Sequence, residues 1–418
     1  MRTEALSRLL PDMPGRSPFL RRRLAGHPTD LEHFQELPTT SRAEMLSAQG
    51  GNPPWGGILA APLSSVSLIG FTNAISAGLP GRTSLQLAAT AGDMRSRVDT
   101  AARAFSMGGS VQGGTTAIME EVARSLLHHV LLGAMARLGA TPFQTGRGLT
   151  LRHVRHTLPA LAPSQLVTHP TYAMHLARVL EEEGTDLTVE RLFLWGEVGP
   201  SVPNVRKVLE DAWSGAVIRN VYATEETGVM AAECEVEDGM HCFEDRFVYE
   251  VVDPGSMEVL PPGNRGELLV TTLDAEAMPL LRYRTGDLVV MDDGPCPCGG
   301  THSRIHVMGR VVEGPSGPMV IELAKVERLL GRFPQLLNIY RIVLEGDAGF
   351  LEVPMGSLDG DQQAVAINTA LLAARSTGMD LRPVKELPRF QHRAMRVVRA
   401  EELDWWEAMA EEQGRLET

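Results

Sequence analysis

The sequence predicts an α/β protein with a large N-terminal domain and a small C-terminal one. Its 418 residues are more than a single hydrophobic core usually sustains. Helical and strand patterns alternate up to about residue 240, and a mainly antiparallel section follows to about residue 308. The segment 309–318 is rich in glycine and proline and lies between two patterned regions, as a linker would. We therefore place the domains at residues 1–310 and 311–418.

Several elements can be assigned from periodicity and from capping signals. Ser41 offers a helix cap before residues 42–46. Apolar residues recur at helical spacing over 119–138 and over 172–183, and a glycine follows each run. Short buried or alternating apolar runs bounded by turn residues predict strands at 191–195, 247–253 and 267–273.

Charge and hydropathy exclude two classes of protein. The formal net charge of -13 leaves no basic footprint for nucleic acid. Residues 49–81 carry no charge, but four prolines and many glycines interrupt them, so buried strands with turns are favoured over a membrane span. The first residues lack the apolar core and small-residue cleavage site of a signal peptide. A cytoplasmic protein without a membrane partner is the expectation.

Metal-binding residues are concentrated in one part of the chain. The cysteines Cys234, Cys242, Cys296 and Cys298 fall within one short region, with nothing else that indicates a disulfide scaffold. Zinc prefers four such ligands in a tetrahedron, and Cys296 and Cys298 would supply two from a tight turn, with Cys234 and His241 from a second loop. Four buried thiols that never meet are the alternative. A closed four-ligand site would be structural, contributing on the order of 10 kcal/mol to folding.

A series of short motifs occurs between residues 169 and 310. They are HPTYA at 169–173, GE at 196–197, YATEE at 222–226, AEC at 232–234, GMHCFED at 239–245, RYRTGDL at 282–288, CPCGGTHSRI at 296–305 and GR at 309–310. In their order and spacing these motifs resemble the phenylacetate-CoA ligases and related adenylate-forming enzymes. Weaker similarity extends from residue 37 to residue 389.

The resemblance implies both a fold and a reaction. The fold would be a large N-terminal adenylate-forming α/β domain with mixed sheets and a small, mobile α+β C-terminal domain. In the reaction, a carboxylate attacks the α-phosphate of ATP, and a thiol such as CoA then displaces AMP from the acyl-adenylate. Such chemistry needs Mg²⁺ or other cations at the phosphates, hydrogen-bond donors around the transferring group and a holder for the ribose.

Residue roles also follow from the resemblance. Asp287 resembles the ribose-binding carboxylate, Glu226 the magnesium-binding one, Tyr222 the residue beside the adenine and acyl pocket, and Arg304 an arginine that contacts the nucleotide. The resemblance also implies substrate contacts at Tyr172, Gly196 and Glu197, and a zinc ligand set of Cys234, His241, Cys296 and Cys298, with Cys242 left as a spare thiol.

Each role has a plainer alternative. Asp287 follows a Thr-Gly pair and could cap a turn, and Glu225 and Glu226 could form the solvated start of a helix. Tyr222 could be core packing. The joint order of the motifs favours the functional interpretation over these.

The phosphate loop departs from the family pattern. The segment in register with Ser-Ser-Gly-Thr-Thr-Gly-Lys-Pro is SAGLPGRT at 76–83, where Leu79 and Pro80 replace the two threonines. Leucine has no side-chain donor and proline lacks a backbone one. Arg82 could still pair with phosphate. A glycine-rich run at 108–116 is better explained as a turn after a helix than as a second phosphate cradle.

Three further departures affect the chemistry. Glu225 replaces the usual threonine before Glu226 and would place a second carboxylate near the phosphates, opposing ATP unless a cation or a raised pKa compensates. Val312 replaces the hinge aspartate, which would alter the domain rotation. Arg393 aligns with the catalytic lysine, whose point charge a planar guanidinium does not reproduce geometrically.

Two interpretations therefore remain open. The first is a divergent ligase that activates an aryl or other small carboxylic acid and passes it to CoA or a carrier protein, with structural zinc, Mg²⁺ and ATP as cofactors and Arg82 and Arg393 in place of lost contacts. The second is a relative that does not use ATP and acts as an ATP-independent acyl-transfer enzyme or a binding protein. A homodimer is compatible with either.

Overall fold

The structure is a computed structural model that describes residues 2–72, 84–110, 112–119, 125–145, 151–337, 339–356, 360–387, 396–404 and 407. The segment in register with the phosphate loop, including Arg82, and the predicted catalytic Arg393 lie outside the described residues. The roles assigned to them remain predictions.

Helices are distributed along the whole described chain. Their bounds are α1 Arg2–Leu9, α2 Met13–Arg16, α3 Pro18–Arg23, α4 Arg42–Gly51, α5 Ala91–Met107, α6 Leu126–Arg137, α7 Leu151–Leu161, α8 Pro170–Glu182, α9 Pro203–Ala212, α10 Leu323–Leu330, α11 Pro334–Leu337 and α12 Gly360–Ser376.

Strands alternate with these helices and then follow one another directly between residues 217 and 321. Their bounds are β1 Val66–Phe71, β2 Gln86–Thr90, β3 Thr115–Ile118, β4 Thr141–Gln144, β5 Gln165–Thr168, β6 Arg191–Trp195, β7 Val217–Thr224, β8 Gly228–Glu233, β9 Met240–Cys242, β10 Phe247–Val252, β11 Arg265–Thr272, β12 Tyr283–Asp292, β13 Arg304–Gly314, β14 Gly317–Ile321, β15 Arg341–Glu345, β16 Ala348–Pro354, β17 Asp380–Val384 and β18 Val397–Arg399.

The chain divides into two compact units. The first comprises Met1–Met107, Arg124–Ala134 and Tyr222–His306, and the second comprises Gly108–Ala123, Met135–Val221 and Val307–Thr418. Helix α6 and strands β7 and β13 each run from one unit into the other along the chain. The boundary that the sequence predicts after residue 310 stays a prediction.

The first unit is built mainly of antiparallel strands. Its neighbouring strands follow the order β10-β11-β12-β13-β9-β8, and a separate antiparallel pair joins β1 to β2. Buried apolar side chains of β2, α4 and the segment before β12 form one core cluster, which includes Met45, Leu87 and Met278. Tyr283, at the start of β12, belongs to the same cluster.

The second unit contains a parallel sheet of order β4-β3-β5-β6-β7 and a four-stranded sheet of order β17-β16-β15-β18. Strands β5 and β6 are buried almost throughout, as expected for parallel strands covered on both faces. In the four-stranded sheet β15 and β16 pair antiparallel, whereas β17 and β18 pair parallel with their neighbours.

Most sequence-predicted elements are confirmed. Helices at 42–46 and 172–183 correspond to α4 and α8, and the predicted strands correspond to β6, β10 and β11. The helix predicted over 119–138 is seen from Leu126 as α6, and Gly139 after it has a φ of +78°. The mixed α/β architecture with large sheets agrees with the predicted fold class.

The glycine- and proline-rich segment 309–318 is not an irregular linker. It forms most of an antiparallel hairpin, in which Gly314 of β13 pairs with Gly317 of β14. At Gly309, whose φ is +159°, a Cβ would lie 1.9 Å from the carbonyl oxygen of Ile321. The glycines therefore allow the strands to approach closely and the chain to make a tight turn, and composition alone does not distinguish this use from a linker.

Among the described helices, none is both long enough and apolar enough to cross a membrane.

Ser41 fixes the start of α4. Its Oγ accepts a hydrogen bond from the Glu44 amide at 3.2 Å, and the Glu44 carboxylate accepts one from the Ser41 amide at 2.7 Å, which completes a capping box.

We expect Ser41→Ala to destabilise the first turn of α4 by about 1 kcal/mol, which corresponds to roughly fivefold faster amide hydrogen exchange there. Ser47→Ala is the matched control, because Ser47 is exposed within the same helix and caps nothing. Equal exchange in the two variants would contradict the capping role.

Candidate functional site

A cluster of three cysteines and one histidine lies in the first unit. The ligand atoms of Cys234, His241, Cys296 and Cys298 are all within 4.8 Å of one another. Among the described residues, these four side chains are the ones grouped closely enough to hold a metal ion. Cys234 follows β8, His241 lies in β9, and the other two occupy the turn before β13. The predicted ligands therefore come together.

The spacing of these atoms fits a tetrahedral zinc ion. Zinc–sulfur bonds of about 2.3 Å place two ligand sulfurs about 3.8 Å apart, and a nitrogen ligand lies about 3.5 Å from a sulfur. The Sγ atoms of Cys234 and Cys296 are 3.8 Å apart, and Cys298 Sγ lies 3.4 Å from His241 Nε2. Four protein ligands leave no open coordination position, so zinc here would brace two loops instead of meeting a substrate.

The residues around the cluster support the ligands. Amides of Val236 and Gly300 donate to the sulfurs of Cys234 and Cys298, at 3.5 and 3.3 Å. A Cβ at Gly300 would lie 2.8 Å from Cε1 of His241, so a larger residue would displace the imidazole. Burial and the neighbouring thiols raise the pKa of Cys234 to about 11, and a bound cation would offset this cost by stabilising the thiolate.

The predicted nucleotide residues Tyr222 and Asp287 are in direct contact. The Tyr222 hydroxyl donates a hydrogen bond of 2.6 Å to Oδ2 of Asp287, and both side chains are buried. Tyr222 lies near the end of β7 and Asp287 lies in β12, so the fold joins two motifs that are far apart in sequence. The role of these two residues in binding a nucleotide remains a prediction.

Glu226, the predicted magnesium ligand, is already engaged. Nη1 of Arg42 donates to its Oε1 at 2.8 Å, and the Tyr283 hydroxyl donates to the same oxygen at 3.1 Å. Magnesium needs near-octahedral oxygen ligands at about 2.1 Å and is not accommodated where a guanidinium contacts the carboxylate. In the part of the chain that the structure describes, no group of three or more acidic or histidine side chains surrounds Glu226. The residues described around Glu226 therefore do not by themselves form a Mg²⁺ site.

The Glu225 carboxylate does not lie at the solvated start of a helix. It accepts hydrogen bonds from the Ser125 hydroxyl at 2.6 Å and from the Leu127 amide at 3.3 Å, at the beginning of α6. Burial raises the pKa of Glu225 to about 7. Arg97 of α5 donates to the backbone carbonyls of both Glu225 and Glu226, at 3.2 and 2.7 Å.

The predicted substrate residues lie in the second unit. Tyr172 is buried in α8, and Glu197 accepts hydrogen bonds from the amide and hydroxyl of Thr171, at 3.2 and 2.6 Å. Gly196 has a φ of +80°, and a Cβ there would lie 2.8 Å from Nδ1 of His169. The glycine thus lets the turn after β6 pass the imidazole, which hydrogen bonds to the carbonyl of Trp195.

Arg304 has partners close to the cysteine cluster. Its Nη1 contacts Asp238 at 2.8 Å and its Nη2 contacts Asp292 at 2.5 Å. These ion pairs join the segment before β9 to the end of β12 and the start of β13. Nucleotide binding by Arg304 remains a prediction.

Sequence reasoning missed Arg42 and Arg97, although Arg42 directly follows the Thr-Thr-Ser segment where the weaker resemblance begins.

Curated relatives of the chain share one name. A phenylacetate-coenzyme A ligase from Thermus thermophilus is 29% identical over 372 residues, spanning 82% of this chain and 77% of that protein. The enzyme of the same name from Pseudomonas putida is 28% identical over 351 residues, spanning 78% and 74%. The one from Escherichia coli is 35% identical over 159 residues, or 36% of each chain. No family model matches the chain.

Solved structures share the fold. A 2-hydroxyisobutyryl-CoA ligase in its post-adenylation state, in complex with an acyl-adenylate, superimposes with a TM-score of 0.80 at 23% identity, covering 99% of this chain and 91% of that one. An amide bond synthetase from Marinactinospora thermotolerans gives 0.55 at 17% identity, covering 82% and 70%.

These likenesses show that the chain shares the fold of the 2-hydroxyisobutyryl-CoA ligase. The resemblance drawn from the sequence is confirmed, because the curated proteins that the chain matches are named phenylacetate-coenzyme A ligases.

We expect Cys296→Ser to abolish stoichiometric zinc binding, because the substitution removes one thiolate and leaves only three of the four ligands. The measurement is metal content by mass spectrometry of protein purified with added zinc. Cys242→Ala is the matched control, since this buried cysteine lies beside His241 outside the ligand set. Unchanged zinc in Cys296→Ser would refute the ligand assignment.

The raised pKa of Glu225 gives a pH-dependent prediction. Between the ordinary value of 4.5 and about 7, the folded chain holds a proton on Glu225 that the unfolded chain has released, so stability falls as pH rises through this window. Glu225→Gln removes this loss. We expect the thermal midpoint of the variant to gain on that of the wild type from pH 5 to pH 8, whereas parallel pH profiles would argue against the buried carboxyl.

Proposed function

We propose that this protein is an adenylate-forming acid–thiol ligase that activates an aryl or other small carboxylic acid and passes the acyl group to CoA. The buried hydrogen bond between Tyr222 and Asp287 is the observation that carries the proposal. It unites the two motif residues that the reaction needs at the nucleotide. The names of the curated relatives support the same reaction and an aryl acid as substrate.

The chemistry proceeds by two displacements. A carboxylate oxygen of the acid attacks the α-phosphorus of ATP, and the bond to the β-phosphate breaks with pyrophosphate as leaving group. A thiolate then attacks the acyl carbon, the acyl–oxygen bond breaks, and AMP leaves with the electron pair. Holding the nucleotide in one orientation beside each reactant makes both steps effectively unimolecular, which lowers the entropic part of their activation barriers.

Particular residues of the chain fit parts of this task. Asp287 is held in place by the Tyr222 hydroxyl and would receive the ribose hydroxyls, because an oriented carboxylate is a strong acceptor. In the second unit, Glu197 and Thr171 order the turn after β6, beside Tyr172 of α8 and Gly196, which we assign to the acyl substrate. The cysteine and histidine ligands would hold zinc as a structural brace close to β9 and β13.

Calorimetric titration of zinc-loaded protein with ATP, with and without Mg²⁺, tests the first half of the proposal. Micromolar binding followed by acid-dependent release of pyrophosphate, in a panel of aryl and small aliphatic acids, is the expected result. No detectable binding of ATP in either condition would instead favour an ATP-independent acyl-transfer or binding protein.

Asp287→Asn should reduce acid-dependent pyrophosphate release on the order of tenfold to a hundredfold, as expected when a charged acceptor becomes neutral. Asp293→Asn is the matched control, because Asp293 is an exposed carboxylate shortly after the same strand. Zinc content should be unchanged in both. Equal turnover of the two variants would remove Asp287 from the nucleotide site.

A further inference from the structure

Backbone contacts at the start of α4 fix the position of Arg42. It is the first residue of α4, which the Ser41–Glu44 capping box starts at this point. Thr40 forms an isolated bridge with Tyr283, and its amide and carbonyl hydrogen bond to the backbone of Arg282 and Arg284, at 3.0 and 2.8 Å. Two backbone restraints therefore fix the start of α4 against β12.

The Arg42 side chain connects two parts of the predicted phosphate site. One terminal nitrogen contacts Glu226, and the other donates to the hydroxyl of Thr72. Thr72 lies four residues before the segment in register with the phosphate loop, and Leu85 lies two residues after it. The Thr72 amide donates a hydrogen bond to the carbonyl of Leu85 at 3.0 Å, and the Thr72 hydroxyl accepts one from the amide of Leu85 at 2.9 Å. Residues that flank the segment on its two sides therefore meet beside Arg42.

The pair is shielded from solvent. The relative solvent exposure of the side chain is 14% for Arg42 and 6% for Glu226. A carboxylate buried to this extent needs a compensating cation, and the guanidinium provides it together with the Tyr283 hydroxyl. A divalent ion at Glu226 would have to displace an arginine that is held at the backbone and also bonded to Thr72, or else accept its like charge at close range.

We propose that Arg42 is the resident counter-cation of Glu226 and replaces a divalent metal ion there, supplying positive charge between Glu226 and Thr72. The inference rests on the proposed function only in taking Glu226 as the residue at the family's magnesium position. Any Mg²⁺ carried on the phosphates of a bound nucleotide would then lack Glu226 as a ligand.

The test uses Mn²⁺, whose free ion is counted by electron paramagnetic resonance, on the full zinc-loaded chain without nucleotide. The variants are Arg42→Met, Arg42→Lys, Glu226→Gln and the double variant Arg42→Met/Glu226→Gln. Wild type and Glu226→Gln should bind Mn²⁺ equally, within about twofold. Arg42→Met should bind it on the order of tenfold more tightly, because a buried carboxylate has lost its cation.

Two comparisons separate the proposal from a merely structural role. The gain in Arg42→Met should disappear in the double variant, and Arg42→Lys should behave as the wild type because it keeps the cation. An Mn²⁺ affinity of the wild type that falls on the order of tenfold in Glu226→Gln would overturn the proposal, as would unchanged affinity in a folded Arg42→Met.

Loss of fold in a single variant does not block the test. Removing one partner of a buried ion pair is costly, whereas replacing both by neutral side chains is often tolerated. Wild type and the double variant can therefore be compared alone, and equal Mn²⁺ affinity supports the proposal while tighter binding by the wild type overturns it. Because no nucleotide is present, these outcomes are independent of whether the chain is a ligase, which the ATP titration decides separately.

Discussion

Burial of two adjacent carboxylates, Glu225 and Glu226, is the constraint on which the candidate site depends. The helix start at Ser125 and Leu127 satisfies the first, and Arg42 and Tyr283 satisfy the second. Because a buried polar group without a partner is costly, the contacts from α4, α6 and β12 stabilise both carboxyl groups in this turn. Arg97 adds hydrogen bonds to the backbone of the same two residues.

The cysteine cluster works by a different physical principle. Cys296 and Cys298 come from a turn rich in glycine and proline, whereas His241 lies in the buried strand β9 and Cys234 directly follows the buried strand β8. Metal coordination can order such loops where hydrophobic burial cannot, since the binding energy of the ion becomes folding energy. The ion pairs of Arg304 with Asp238 and Asp292 join the same segments. The contacts of Glu225 and Glu226 and the contacts around the cysteine cluster thus involve separate residues of one unit.

Much of the fold could be predicted because it depends on local pattern. Capping at Ser41, the apolar period of α8 and the buried run of β6 are properties of neighbouring residues, and each was found where expected. The segment 309–318 shows the limit of such reasoning, because glycine and proline favour both linkers and tight hairpins. Only pairing across β13 and β14 distinguishes the two, and pairing is not a local property.

The sequence by itself determined the family resemblance, the four candidate metal ligands and the motifs predicted to bind a nucleotide, because each is encoded by residue type and spacing. Tertiary structure decided which of these residues meet: it brought Tyr222 onto Asp287 and gathered the four ligands. It also decided what surrounds Glu226. An arginine 184 positions away in the chain fills the place expected for a cation, and a partner at that separation is fixed only by how α4 packs against β12.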